Sequence, residues 1–168
     1  MSASLGPNGL SGTATIKQVK QAYKQDIFTT TSTSYVSVTG LSVNITPTST
    51  SNKILVFVNI NAGIAANAGG VQLFRGSSAI GLPNSVSGKT NRFFLNVYNG
   101  GDDSNSTPNW GMCYLDSPST TSQITYSVRV ACVQGGGTIV VNDQTSQVSS
   151  TTYAGNSVSH ITVMEIAE

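Results

Sequence analysis

Residues able to do chemistry are sparse in this chain, and their spacing limits what each can do. The sequence holds one histidine, His160, at the start of its last β-like run. No order of Ser, His and Asp, or of Cys and His, surrounds it. It reads as a strand-end or interface residue. The carboxylates Asp102 and Asp103 are adjacent, so their side chains diverge, which does not suit a general acid and base flanking one bond. With Asn105 they offer clustered oxygens of the kind calcium takes. GGDDSNSTPN lacks the spacing of a calcium loop, however, and reads as a solvated turn. Gly135, Gly136 and Gly137 precede the strand-like TIVVN rather than a helix carrying Lys and Ser/Thr. They predict a hairpin turn, not a phosphate cradle. Trp110, with Tyr98 and Tyr114, could form a sugar-stacking platform, but a lone Trp entering a strand is more often a core or interface anchor. No catalytic set, metal site or cofactor site emerges, and the expectation is a protein that is not an enzyme.

The two cysteines, Cys113 and Cys132, do not read as a disulfide. If Gly111–Asp116 and Ile124–Val133 form an antiparallel hairpin about the SPSTTS loop, Cys113 faces a position near Tyr126. Cys132 then lies six positions further on, about 20 Å away at ~3.3 Å per residue, beyond disulfide reach. Both are expected to be small buried hydrophobes.

Composition narrows the class further. Only 9% of the 168 residues are charged, and the net charge is +1, against roughly 25% charged in an average soluble protein. Ser and Thr make up about a quarter of the chain. So little charge leaves little repulsion between copies, which favours association. No cluster of Lys and Arg interleaves with aromatics, so nucleic acid is not an expected partner. The densest basic group, Lys17, Lys20 and Lys24, is followed by Asp26 and predicts a solvated face. The opening MSASLGPNGLSG has neither a basic nor an apolar signal region, and no run approaches the ~20 apolar residues that span a bilayer. Assembly in the cytoplasm without membrane insertion is the expectation, and the sequons at Asn44 and Asn105 then carry no weight.

The elements that must position these residues read as all-β. Apolar runs cut by Ser, Thr, Pro and Gly fall at Tyr35–Val38, Leu41–Thr46, Lys53–Ala62, Val71–Arg75, Arg92–Tyr98, Gly111–Leu115, Gln123–Val133, Thr138–Asn142 and Ser159–Ile166. Turn signals at this frequency predict an antiparallel two-sheet sandwich of the jelly-roll kind. Thr13–Ile27 is ambiguous, because Ile16, Val19 and Tyr23 fall at i, i+3 and i+7, a helical spacing; strand is favoured. Residues 1–14, with four glycines and prolines between Leu5 and Leu10 and around them, predict an extended arm, and residues 15–168 one sandwich domain.

Strand patterning adds a further constraint. Gln123–Val133 alternates, with Ile124, Tyr126, Val128, Val130 and Cys132 on a core face and Thr125, Ser127 and Arg129 on a wet one. Other runs are apolar on both sides: Ile54, Val56, Val58 and Ile60 against Leu55 and Phe57; Phe93, Leu95 and Val97 against Phe94 and Tyr98; Ile161 and Val163 against Met164 and Ile166. A sandwich has one inner face per sheet, so the second apolar face requires a cover. A neighbouring subunit is the favoured one. The alternative is that loops such as Gly100–Pro108 fold over it.

Four phrases carry a resemblance. They are the run TSTSYVSVTGLSVNITPTSTSNKILVFV, then VQLFRGSSAIG (Val71–Gly81), CYLDSPSTTSQITYSVRVAC (Cys113–Cys132) and the closing HITVMEIAE (His160–Glu168). Together these resemble the globular domain of small phage virion structural proteins, found in capsid decorations and tail fibres. The resemblance covers most of the chain from about Ile16. It implies a homotrimeric jelly roll of the C1q/tumour-necrosis-factor type, no enzymatic activity, and a place in the virion. It brings no catalytic or cofactor-binding residues. Phe57, Phe94, Tyr98, Tyr114 and Met164 are the expected trimer interface, and Leu5 and Leu10 the expected docking residues on a major capsid protein or another virion protein. The short arm favours a capsid decoration (cement) protein over a tail-fibre tip that recognises a host surface glycan or protein. A soluble carbohydrate-binding module is a third reading, for which no convergent aromatic and acidic loop cluster is visible.

Overall fold

The computed structural model describes residues 15–65, 68–87, 94–97, 107, 109–133, 136–143 and 156–167. Among these, regular structure is entirely β: β1 (Thr15–Lys24), β2 (Phe28–Thr30), β3 (Val36–Ile45), β4 (Lys53–Ala65), β5 (Ala68–Arg75), β6 (Ser78–Ile80), β7 (Phe94–Val97), β8 (Asn109–Asp116), β9 (Ile124–Cys132), β10 (Thr138–Val141) and β11 (Ser159–Ala167). Every pairing is antiparallel. The expected two-sheet sandwich is what the chain forms.

Several strands are segments of one ribbon. β10 and β11 lie end to end along the same edge of β4, because Asn61 accepts from the Asn142 N–H (2.8 Å) and donates its own N–H to Ser159 Oγ (3.0 Å). β2 and β1 line up beside them. β6 and β7 likewise share the edge of β5 opposite β9. One sheet therefore runs β1/β2, β11/β10, β4, β8, and the other β3, β9, β5, β6/β7. This interleaved order, with eight ribbons in two sheets, is that of a jelly roll.

The core lies between the sheets. Ile54, Val56, Val58 and Ile60 of β4 and Ile161 and Val163 of β11 meet Leu41, Val43 and Ile45 of β3 and Tyr126, Val128 and Val130 of β9, all buried. Alternation along a strand produces this layer, since every second side chain points inward.

Two bulges reset that alternation. In β1, Ile16 pairs with Ile166 and Gln18 with Glu165, so Lys17 is extra. Ile16 faces outward with Val19, Gln21 and Tyr23, and Gln18 faces inward. The helix-like spacing of Ile16, Val19 and Tyr23 is thus a strand with one inserted residue. In β3 the register shifts between Ser37 and Ser42, around Gly40 at φ +82°. Val38 before the bulge and Leu41 after it both reach the core. The two short runs expected on either side of Gly40 are one strand.

The structure corrects other expectations. β8 and β9 are not a hairpin, because β8 pairs with β4 in one sheet and β9 with β3 and β5 in the other. The 117–123 segment crosses between sheets. The cysteines are free as expected, but Cys113 is exposed and only Cys132 is buried. Burial raises the Cys132 thiol above its usual range. Nor is the glycine run a hairpin turn: β9 and β10 lie in different sheets, with Gly136 at φ +70° between them. Lys17 and Lys20 are exposed as expected. Lys24 is not: its side chain is wholly buried, with Nζ 2.8 Å from the carboxylate of exposed Asp26. Hydrogen bonding to Lys24 holds that carboxyl below its usual range. β2 and β6, three residues each, escaped the pattern of apolar runs.

Candidate functional site

The site is a sheet face rather than a cleft. In the β1/β11/β4/β8 sheet the residues pointing away from the core are fixed by register. Val19 lies beside Met164, Gln21 beside Thr162 and Tyr23 beside His160. Across β11, Met164 lies beside Leu55, Thr162 beside Phe57 and His160 beside Asn59. Leu55 and Phe57 in turn face Leu115 and Cys113. An open groove runs across this face, lined by Val19, Gln21, Phe57, His160, Thr162 and Met164.

Five of its large apolar side chains are exposed, while Leu55, Met164 and Ile166 are half-buried. Ile16 is 57% exposed, Tyr23 53%, Leu115 52% and Val19 50%. Phe57 is at 36%. The outer face carries no carboxylate among the described residues, and its one cationic position is Lys53, at the Ile166 end. At the opposite end Asn109 Nδ2 donates to the side-chain oxygens of Asn59 and Asn61. Asn61 donates in turn to the Val158 carbonyl.

The other sheet differs. Its outward positions on β5 and β9 include Gln72 (7% exposed), Phe74 (8%), Ser127 (6%) and Ala131 (0%). Arg129 lies over the Phe74 ring, 3.9 Å from its centroid. On the expected wet face of β9, Thr125 is exposed, Arg129 half-buried and Ser127 buried, and the sheet containing Phe57 is the one whose back leaves large apolar side chains in water.

Buried polar clusters hold this face in place. Glu165, on the inner side of β11, is fully buried. Its Oε1 accepts from Thr48 N (2.6 Å), Thr48 Oγ1 (2.8 Å) and Asn52 Nδ2 (2.6 Å), and its Oε2 from Gln18 Nε2 (2.6 Å). Burial alone would raise this carboxyl, but the donors outweigh it and hold the pKa at about 2. Gln18 also donates to the Thr46 carbonyl, so β1, the 46–52 turn and β11 are fastened together. Asp116 plays the corresponding part between sheets. It accepts both oxygens' worth of Arg75 Nη1 (3.0 and 2.9 Å) and the Tyr126 hydroxyl (2.6 Å). Burial and this carboxylate push the Tyr126 hydroxyl far above its ordinary range. At the β10–β11 junction Asn142, at φ +68°, donates to the Lys24 and Asp26 carbonyls and accepts from Ser159 Oγ. These clusters are fully paired and structural. Sequence reading missed them, since nothing in a lone Glu at the chain's end announces four donors from distant segments.

Of the expected interface residues, Phe57 and Met164 come together in the groove. Tyr114 does not join them: it pairs with Val56, on the inner side of β8, and is half-buried against the core. Trp110 packs there too, as a core anchor. Phe94 belongs to β7 in the other sheet, and its side chain lies outside the described residues. So do Tyr98, Leu5, Leu10 and the Asp102–Asp103–Asn105 loop. Among the described residues no group of three or more His, Cys, Asp or Glu could hold a metal ion, and no helix is long and apolar enough to cross a membrane.

No protein-family model matches the sequence, and no curated protein matches it. Among solved structures, the chain is similar over 99% of its length to VP2 of infectious bursal disease virus, from the crystal structure of its subviral particle. The identity is 10% and the TM-score 0.39, and the match spans 45% of that chain. The likeness to phage virion proteins rests on the sequence phrases quoted above.

Proposed function

We propose that this chain is a non-enzymatic structural protein of a phage virion. Three copies associate through the outer face of the β1/β11/β4/β8 sheet, and residues 1–14 dock the trimer on the capsid, where it acts as a decoration protein. One observation carries the reading: the back of one sheet is buried at its centre (Gln72, Phe74, Ser127, Ala131) and polar where exposed (Ser42, Asn44, Thr125), whereas the back of the other leaves Ile16, Val19, Tyr23, Phe57 and Leu115 in water. Contiguous exposed apolar surface of this kind marks an interaction site.

A second copy fits this face better than a charged partner does. Among the described residues the paired positions of this face offer no carboxylate and one lysine, and the chain's net charge of +1 leaves identical subunits little reason to repel. Interfaces of obligate oligomers commonly bury more than about 2,000 Å² and resemble a divided core. The trimeric state, the virion setting and the decoration role come from the resemblance.

Removing residues 1–12 tests the docking role. The truncated protein is expected to keep the oligomeric state of the full chain and to be lost from purified particles, with label on the heads of particles that carry the full chain. Normal copy number after the deletion, or label confined to tails, would contradict the decoration reading.

A further inference from the structure

His160 is the one histidine of the sequence, and it stands on the face that the proposed assembly covers. It is half-buried at the head of β11, with Tyr23 beside it on β1 and Asn59 on β4. It lines the same groove as Val19, Phe57 and Met164. We infer that His160 makes association through this face pH-dependent, so that acid releases the subunits; the inference rests on the reading of that face as the subunit interface.

The groups around the imidazole decide the sign. From β1 it meets Tyr23 and, one pair along, Gln21. From β4 it meets Asn59 and Phe57, and beyond them on β8 lie Gly111 and Asn109. On its own strand the next outward residue is Thr162. None is a carboxylate. Glu165 faces the core, held by its four donors. The Lys24–Asp26 pair belongs to the opposite side of the sheet: Lys24 pairs with Ser159, one step out of phase with His160, and its Nζ lies near Gly40 of β3. Asp143, beyond β10, has a partner of its own.

A second copy laid on this face takes water from the imidazole, and the described residues of the face itself supply no anion in its place. An imidazolium loses its hydration there uncompensated, while a neutral ring can be covered beside Phe57 and Tyr23 at little cost. Proton binding therefore favours the separated subunit. Histidine ordinarily titrates near pH 6.5. Association is at full strength above that range and weakens as the pH falls through it. Three subunits each shed one proton on assembling, so the association constant falls by up to about a thousand-fold for each pH unit below the range, ten-fold per proton.

Sedimentation velocity of the full chain at pH 7.5 and 5.5 tests this, with His160→Asn as the variant that stays neutral at both. Histidine is the one side chain of this sequence whose ordinary range lies between those values. The wild-type chain is expected to pass from assembled to single subunits on acidification, and His160→Asn to stay assembled. Wild-type assembly that persists unchanged at pH 5.5 overturns this inference alone, as does dissociation of His160→Asn alongside the wild type. A single subunit already present at pH 7.5 overturns the reading of the face and this inference with it.

Discussion

Glu165 shows how much one residue can organise when every partner arrives from elsewhere in the chain. A carboxylate sealed from water is tolerated because two distant segments, β1 and the 46–52 turn, aim donors at it, and a hydrogen bond to a charged group contributes about 1.5–3 kcal/mol. Glu165→Gln keeps the size but leaves one end presenting an amide N–H₂ to a donor, Gln18. We expect that variant to lose about 2–3 kcal/mol of stability at pH 7, read as a lower urea midpoint. The pH dependence follows from the direction of the shift. The folded-state pKa, about 2, lies below the ordinary 4.5, so the stabilisation is complete above about pH 4.5 and is lost as the pH falls toward 2. The difference between wild type and Glu165→Gln is expected to shrink over that window. An equal difference at pH 7 and pH 2.5 would show that the charge is not what matters at this position. Nothing in ITVMEIAE distinguishes this glutamate from a solvated terminal one; its role lies in contacts more than a hundred residues away in sequence.

Element-scale features were legible where a run is long and uninterrupted, as in β4, β9 and β11. They were misread where an inserted residue shifts the phase. A bulge turns a two-residue period into spacings of three, which imitates a helix in β1 and two separate strands in β3. The period is a property of the pairing partner as much as of the strand, and the partner is not visible in a local window. The same blindness explains the β8–β9 and β9–β10 connections, read as hairpins although each passes between sheets: short turn-rich loops serve both purposes. Gly40 tests the bulge. A Cβ there meets only Lys24 Nζ, at 4.0 Å, an ordinary contact, so the cost of a side chain is in the backbone. At φ +82° an L-residue is strained by roughly 1–2 kcal/mol. Gly40→Ala is expected to lower the stability by that amount, read as a lower urea midpoint at unchanged slope. A neutral effect would place the bulge's left-handed geometry in doubt.

At the scale of the whole molecule the two sheets are unequal, and the inequality was half visible beforehand. Apolar residues on both sides of β4 and β11 announced a second face in need of cover. Which sheet would stay bare was not legible in the runs: Phe74, beneath Arg129, and Ala131 are buried on the back of β5 and β9, while Phe57 and Leu115 stay exposed on the back of β4 and β8. Two of the five expected contact residues, Phe57 and Met164, lie on the bare side; Tyr114 alternates onto the other, because β8 pairs it with Val56, whose side chain is in the core. The direct measurement is the mass of the full chain in dilute neutral solution by sedimentation equilibrium, for the wild type and for Phe57→Asp. The account expects three times the 17.4 kDa chain mass for the wild type and either single subunits or aggregates for Phe57→Asp. A wild-type chain that stays single and stable at micromolar concentration, or a Phe57→Asp protein that forms the same trimer, would contradict it.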